Sequence, residues 1–182
     1  MFIQTEETPN PASLKFLPGR TVMPTGTANF SDPRSAARSP LAERLFSLPE
    51  VTGVFLGSEF ITVTKDEDSD WYRLKPAVLA AIMEHFTAGR PVLLGADLPP
   101  AASDEEDDEV VSQIKELLET RVRPAVAQDG GDIIFHDFAD GVVYLHMQGS
   151  CSGCPSSTAT LKAGIENMLR HYIPEVVEVQ AV

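Results

Sequence analysis

The sequence predicts an α+β protein, two small α/β domains joined by an acidic linker. Strand-like alternation and helix-like spacing interleave at both ends of the chain. Between them, residues 95–108 carry six acidic side chains and no basic one, with Leu98 as the only large apolar residue. Beyond that stretch the order reads helix, strand, strand, cysteine loop, helix, strand. Such an order folds as a three-stranded sheet covered by two helices.

Residues 1–94 form the first domain. Phe2 to Thr5 and Ser13 to Leu17 are short strands separated by the turn-rich Thr8-Pro9-Asn10-Pro11. Residues 18–40, rich in Pro, Gly, Ser and Thr, read as a long loop. A short helix over Leu41 to Leu48 starts at Ser39-Pro40. Val51 to Leu56 and Phe60 to Lys65 flank Gly57-Ser58-Glu59 as a hairpin. Asp66 to Asp70 is a charged turn. Leu74, Val78, Ala81, Ile82 and Phe86 recur at helical spacing and predict an amphipathic helix over 75–88.

Residues 95–108 are the linker. Prolines and like charges keep such a stretch extended, with a flexible-coil span of ~20 Å or more. It reads as a solvated spacer, with an acidic docking patch as the functional alternative. Ser103 and Glu106 have capping-box spacing.

Residues 109–182 form the second domain. Val110, Ile114, Leu117, Leu118 and Val122 make one helix face, and Pro124 should kink or end that helix. Gly130-Gly131 allows a sharp exit. Ile133 to Phe138 and Val142 to Met147 make a hairpin around Ala139-Asp140-Gly141, with Val143, Leu145 and Met147 inward. Leu161, Ile165, Met168, Leu169 and Tyr172 form a second helical stripe, ended by Pro174. Val177, Val179 and Ala181 alternate in a last strand. No internal repeat is visible.

The formal net charge of −13 argues against general nucleic-acid binding or attraction to anionic membranes. No apolar run is long enough to cross a bilayer. The first seven residues, MFIQTEE, lack the zones of a secretion signal and the Arg-rich character of a transit peptide. The expectation is a cytoplasmic, bacterial protein, or a mitochondrial-matrix protein only if the chain is a processed form. A reducing compartment disfavours a permanent disulfide, which leaves both cysteines free for metal or redox work.

The chemistry sits in Gly149-Ser150-Cys151-Ser152-Gly153-Cys154-Pro155-Ser156-Ser157, which holds both cysteines of the chain. Pro155 suits the first turn of a helix, so the thiols fall at a helix N-terminus, where partial positive charge favours thiolate. Most structural zinc and iron–sulfur sites take four ligands, and this chain offers two sulfurs. Three readings stand: a thioredoxin-like redox pair, zinc completed by histidine or a second chain, and an iron–sulfur cluster shared across a two-fold dimer. Against the redox pair, a hairpin precedes the motif rather than a strand–helix–strand unit enclosing it. Zinc ranks third. His146 lies opposite the core face of its strand, His136 in the preceding strand, His171 at the far end of the helix and His85 in the other domain. Each reads as a partly exposed structural histidine. Met147 and Met168 read as core. No acid, base and nucleophile of an enzyme stand together.

The run from Asp129-Gly130-Gly131-Asp132 through Cys151-Ser152-Gly153-Cys154-Pro155-Ser156-Ser157-Thr158 to Leu161-Lys162-Ala163-Gly164-Ile165-Glu166 resembles the NifU-like C-terminal domain of Nfu iron–sulfur proteins. The front end resembles the Nfu N-terminal domain through Gln4-Thr5-Glu6-Glu7-Thr8-Pro9-Asn10-Pro11, Ser13-Leu14-Lys15-Phe16, Trp71 and Leu74-Lys75-Pro76. Ala12 and the linker composition depart from the common pattern away from the chemistry. The resemblance implies an iron–sulfur cluster carrier, not an enzyme. Cys151 and Cys154 would be the metal ligands of a 4Fe–4S cluster bound between two chains. The implied partners are a second copy of the chain, upstream cluster-assembly proteins and apo iron–sulfur clients. A thiol–disulfide oxidoreductase using the same pair is the alternative.

Overall fold

The structure is a computed structural model that describes residues 2–24, 26–94, 108–150 and 155–182. The chain forms two compact units, Met1–Ala101 and Ala102–Val182. The expected linker lies, except for Asp108, outside the described residues, as do Ser103 and Glu106.

The first unit is a five-stranded antiparallel sheet in the order β1-β2-β5-β4-β3. Its strands are β1 (Gln4–Glu7), β2 (Ser13–Leu17), β3 (Ala28–Phe30), β4 (Val51–Leu56) and β5 (Ile61–Lys65). Two helices, α1 (Pro40–Phe46) and α2 (Trp71–Thr87), supply the other side of the core. Phe16, Ile61 and Val63 from the sheet pack in one cluster with Leu41 and Leu45 of α1 and Leu74, Val78 and Ile82 of α2. Ser39 caps α1 by accepting the Ala42 amide at 3.1 Å, as its sequence position predicts.

Two expectations change in this unit. The long loop over 18–40 contains strand β3 and a 3-10 turn, Ser35–Arg38. Three residues are too few to show a period, and β3 exists through its long-range pairing with β4. Helix α2 begins at Trp71 rather than 75. Asp70 caps it, accepting the Tyr72 amide at 2.9 Å, and Pro76 falls inside the helix rather than at its border.

The second unit opens with α3 (Glu109–Leu117), a π turn (Leu118–Val122) and α4 (Arg123–Gln128). Pro124 does not end the helix. It sits in the first turn of α4, where a missing N–H is tolerated, and the π turn absorbs the irregularity. Strands β6 (Gly131–Ala139) and β7 (Val142–Gly149) pair antiparallel across a two-residue turn. Asp140 and Gly141 both have positive φ, 52° and 79°, the backbone of a type I′ turn. Helix α5 (Pro155–Tyr172) carries the chain over to β8 (Glu178–Ala181), which pairs parallel to β7. The sheet order is β6-β7-β8. Ile114, Leu118 and Val122 meet Ile133, Val143, Leu145, Met147, Ile165, Leu169 and Val179 in one core. Tyr172 is 48% exposed and Val177 62% exposed, so neither joins the core as its spacing suggests. Val177 precedes β8, where its amide bonds the Gly141 carbonyl at 2.7 Å.

Two glycines in this unit should respond oppositely to alanine. A Cβ on Gly141 would meet Val177 Cγ2 at 2.8 Å and the Glu175 carbonyl oxygen at 3.1 Å, at a positive φ. Gly164 is exposed within α5 and has nothing within 4 Å. Gly141→Ala is expected to destabilise the unit by roughly 1–3 kcal/mol. Gly164→Ala should stabilise it by roughly 0.5–1 kcal/mol. Urea unfolding of the two variants checks both signs.

His85 supplies a second expectation. It is 4% exposed rather than partly exposed, and its Nε2 has no hydrogen-bond partner among the described residues. Burial, with help from the nearby Arg90 charge, holds its pKa below the ordinary 6.5. The unfolded chain therefore binds a proton near pH 6.5 that the folded chain refuses, and stability falls as pH drops below that value. Unfolding followed from pH 7.5 to 5 should show this slope in wild type. His85→Leu should flatten it.

Candidate metal centre

Cys151 and Cys154 lie outside the described residues, together with Ser152 and Gly153. The elements on either side of them are described in detail. Strand β7 ends at Gly149, whose φ of 65° is open to glycine and strained for other residues. The eighteen-residue helix α5 starts at Pro155, the residue after Cys154. The chain direction thus places the positive end of α5 at Pro155, the sequence neighbour of Cys154. Arg170 and His171 sit in the last turn of α5, at the end where positive charge is favoured.

Ser150, the last described residue before Cys151, is 2% exposed. Its Oγ donates to the Asp129 carbonyl, and its amide donates to the Gly130 carbonyl at 3.3 Å. Both acceptors belong to the turn between α4 and β6. That turn closes α4 through Asp129 and Gly130 amides bonded to Val126 and Ala127, with Gly130 at φ 79°. Next to it Gly131 pairs with Gly149.

An ion pair between a half-buried arginine and a buried aspartate ties the same turn together. Arg123 Nε and Nη2 each reach one carboxylate oxygen of Asp132 at 2.9 Å. Asp132 is 3% exposed and also accepts the Ile133 amide at 2.8 Å. Glu119 lies 3.7 Å from Arg123 Nη1. The hydrogen bond to Asp132 raises the Arg123 pKa beyond the ordinary guanidinium value against the opposing effect of burial, so the guanidinium stays charged. Sequence reasoning picked out Asp129 to Asp132 but not Arg123. Helical phase would not place it on Asp132, because the π turn before it shifts that phase.

The histidines do not converge. His146 is exposed on the face of β7 away from the core, with Nδ1 3.1 Å from the Val182 carbonyl oxygen. His136 is exposed beside the β6 bulge. His171 is exposed and meets Tyr172 edge-on at 5.1 Å. Among the described residues no three His, Cys, Asp or Glu side chains are grouped to hold a metal.

The hairpin before the motif does not distinguish this unit from a redox fold. β7, α5 and β8 form a parallel strand–helix–strand unit around the cysteine segment. Topology therefore does not separate a carrier from an oxidoreductase.

In the first unit, the two stretches that carry the N-terminal resemblance come together. A cleft of ≈ 540 Å³ is lined by Thr5 to Pro11, Ser13, Leu14, Trp71 and Lys75. Trp71 Nε1 donates to the Pro11 carbonyl at 3.2 Å, and Asn10 Oδ1 accepts the Ala12 amide at 3.0 Å. Thr8 Oγ1 bonds the Ser13 carbonyl at 3.0 Å. Much of this motif therefore serves to hold its own turn. The cleft has no signal in the sequence, because its walls are about sixty residues apart along the chain.

Comparison with known proteins adds the family. Residues 3–89 match the family "Scaffold protein Nfu/NifU N terminal", and residues 114–180 match the "NifU-like domain". A human protein named as a mitochondrial iron–sulfur cluster scaffold homolog is 55% identical over 183 residues, covering 100% of this chain and 72% of its own length. NifU-like protein 4, mitochondrial, of Arabidopsis thaliana is 54% identical, covering 97% of this chain and 64% of its own. A solution structure of a NifU-like protein from Saccharomyces cerevisiae covers 51% of this chain and 84% of its own, at 26% identity and a TM-score of 0.47. This chain thus spans about two thirds of the length of such relatives. The expected bacterial cytoplasmic location is overturned, since relatives at more than 50% identity are named as mitochondrial proteins. With both domains matched along nearly its whole length, the chain belongs to the Nfu family.

Proposed function

We propose that this chain is an iron–sulfur cluster carrier and not an enzyme. Cys151 and Cys154 of two copies hold a 4Fe–4S cluster between them, and the cluster passes intact to apo-proteins. The observation that carries the reading is the match of both domains to a scaffold family in a chain with one cysteine pair. Two thiolates per chain cannot complete a four-ligand cluster, whereas a two-fold dimer presents four. The naming of the relatives supports the mitochondrion as the compartment.

The cluster is cargo, and its hold on one chain is deliberately incomplete in coordination. Separation of the copies removes half the thiolates. An acceptor thiolate then replaces a carrier thiolate on iron, one ligand leaving for each that arrives. The N-terminal domain, 1–94, and the cluster domain, 109–182, fold by themselves on either side of linker 95–108. The first domain serves recognition or stability.

Four measurements test this. Anaerobic reconstitution should give about four irons per dimer. Cys151→Ser and Cys154→Ser should each abolish stable cluster while leaving the unfolding transition in place. A variant that keeps full iron and sulfide after desalting removes its cysteine from the ligand set. Loaded protein should activate an apo 4Fe–4S acceptor in the presence of an iron chelator. Activation only at the rate of cluster breakdown defeats the carrier reading, and disulfide reduction with thioredoxin-like turnover replaces it with the oxidoreductase. Cleavage within residues 98–103 should leave two cooperatively folded pieces, of which the C-terminal one binds cluster. Loss of cooperative unfolding in that piece would join the units in one core.

A further inference from the structure

We propose that Arg123 and Asp132 are positioning residues for the cysteine segment, acting through the Asp129-Gly130 turn and Ser150. The proposal rests on the carrier reading for what the segment holds.

The chain of contacts is short: Gly130, Asp132 and Ser150 are buried, Arg123 is half-buried and Asp129 is exposed. Arg123 opens α4, and Asp132 is the second residue of β6. Their two parallel 2.9 Å bonds therefore staple the end-to-end distance of the α4–β6 turn. A fork-to-fork pair fixes orientation as well as separation. Within that staple, the Asp129 and Gly130 carbonyls point at Ser150 and receive its hydroxyl and its amide. Ser150 is covalently next to Cys151, so these two bonds set where the cysteine segment leaves the sheet. Asp132 adds a third restraint through the Ile133 amide.

The π turn Leu118–Val122 has a role in the same device. One extra residue in a turn rotates the following residues by ~100° about the helix axis. It stands immediately before Arg123 and sets the direction from which the guanidinium reaches Asp132. Bulges of this kind collect at functional sites. Nothing in the core demands the ion pair. A buried pair of charges contributes little net stability compared with apolar residues of the same size, and its best-attested use is to fix geometry. Groups that orient a metal's ligands commonly change metal retention 10–100-fold when altered.

The test uses the full chain and three variants. Arg123→Lys keeps the charge and loses the fork. Asp132→Asn keeps the shape and loses the charge. Ser150→Ala removes the hydroxyl bond to Asp129. Amide exchange is read on the apo protein. In Arg123→Lys the Ser150 amide should exchange about tenfold faster or more, while Val143 and Leu145 amides keep their wild-type rates. On reconstituted protein, cluster loss to a chelator should be roughly 10–100-fold faster in Arg123→Lys, measured well below its melting temperature where the chain is folded. Ser150→Ala should show the same loss, and Arg123→Lys combined with it should add little, because both lie on one path. An unchanged Ser150 exchange rate in Arg123→Lys overturns the proposal. So does faster exchange with wild-type cluster retention, or losses that multiply in the double variant. If Asp132→Asn fails to fold, the other two variants decide. A wild-type chain that takes up no cluster defeats the carrier reading instead, and the exchange rates still report whether the staple holds Ser150.

Discussion

Strand β7 is hydrogen-bonded on both edges, antiparallel to β6 and parallel to β8. This double pairing organises the C-terminal unit. It forces alternate residues into register, so Val143, Leu145 and Met147 are buried together while His146 stays outside. The parallel partner requires a crossover, and α5 is that crossover. The crossover must start where β7 ends. The cysteine segment therefore occupies the junction between the central strand and the N-terminus of its own crossover helix, a place common for binding in strand–helix–strand units.

The turn that receives Ser150 at the end of β7 is braced by the Arg123–Asp132 pair. A buried carboxylate is expensive to desolvate, and Asp132 is tolerated because Arg123 and the Ile133 amide satisfy it. Removing one partner of such a pair commonly costs about 3–5 kcal/mol, far more than the pair contributes over an apolar substitute. The asymmetry explains how a pair can be costly to break without being a source of stability. Its product is a fixed turn, and the fixed turn holds Ser150.

The N-terminal unit is built by different means. Its sheet is antiparallel and its inner strand β2, paired with β1 and β5, is buried on both faces, so Lys15 is buried beside Glu6, 3.4 Å away, and lies 4.9 Å from the Phe60 ring. Most of the polar groups of the Thr8-Pro9-Asn10-Pro11 turn are spent on local bonds to backbone. His85 is enclosed with no partner for Nε2 among the described residues, which makes it a source of pH sensitivity in stability.

The sequence by itself determined the elements whose information is local. Strand β7 follows from alternation, β2 and β4 from short strand-like runs bounded by turn residues, the β6–β7 turn from Asp140-Gly141, the start of α1 from Ser39, and the cysteine pair from its neighbours in the chain. The family resemblance followed from the same runs of residues. Only tertiary structure decided the rest. Strand β3 exists because β4 offers it an edge, Val177 is exposed because the chain must first bond Gly141, and Pro124 continues a helix because a π turn accommodates it. Arg123 found Asp132 for the same reason. Periodicity reports which residues share a face of one element, whereas a pairing between elements depends on the path of the backbone between them, and one extra residue in a helical turn is enough to redirect that path.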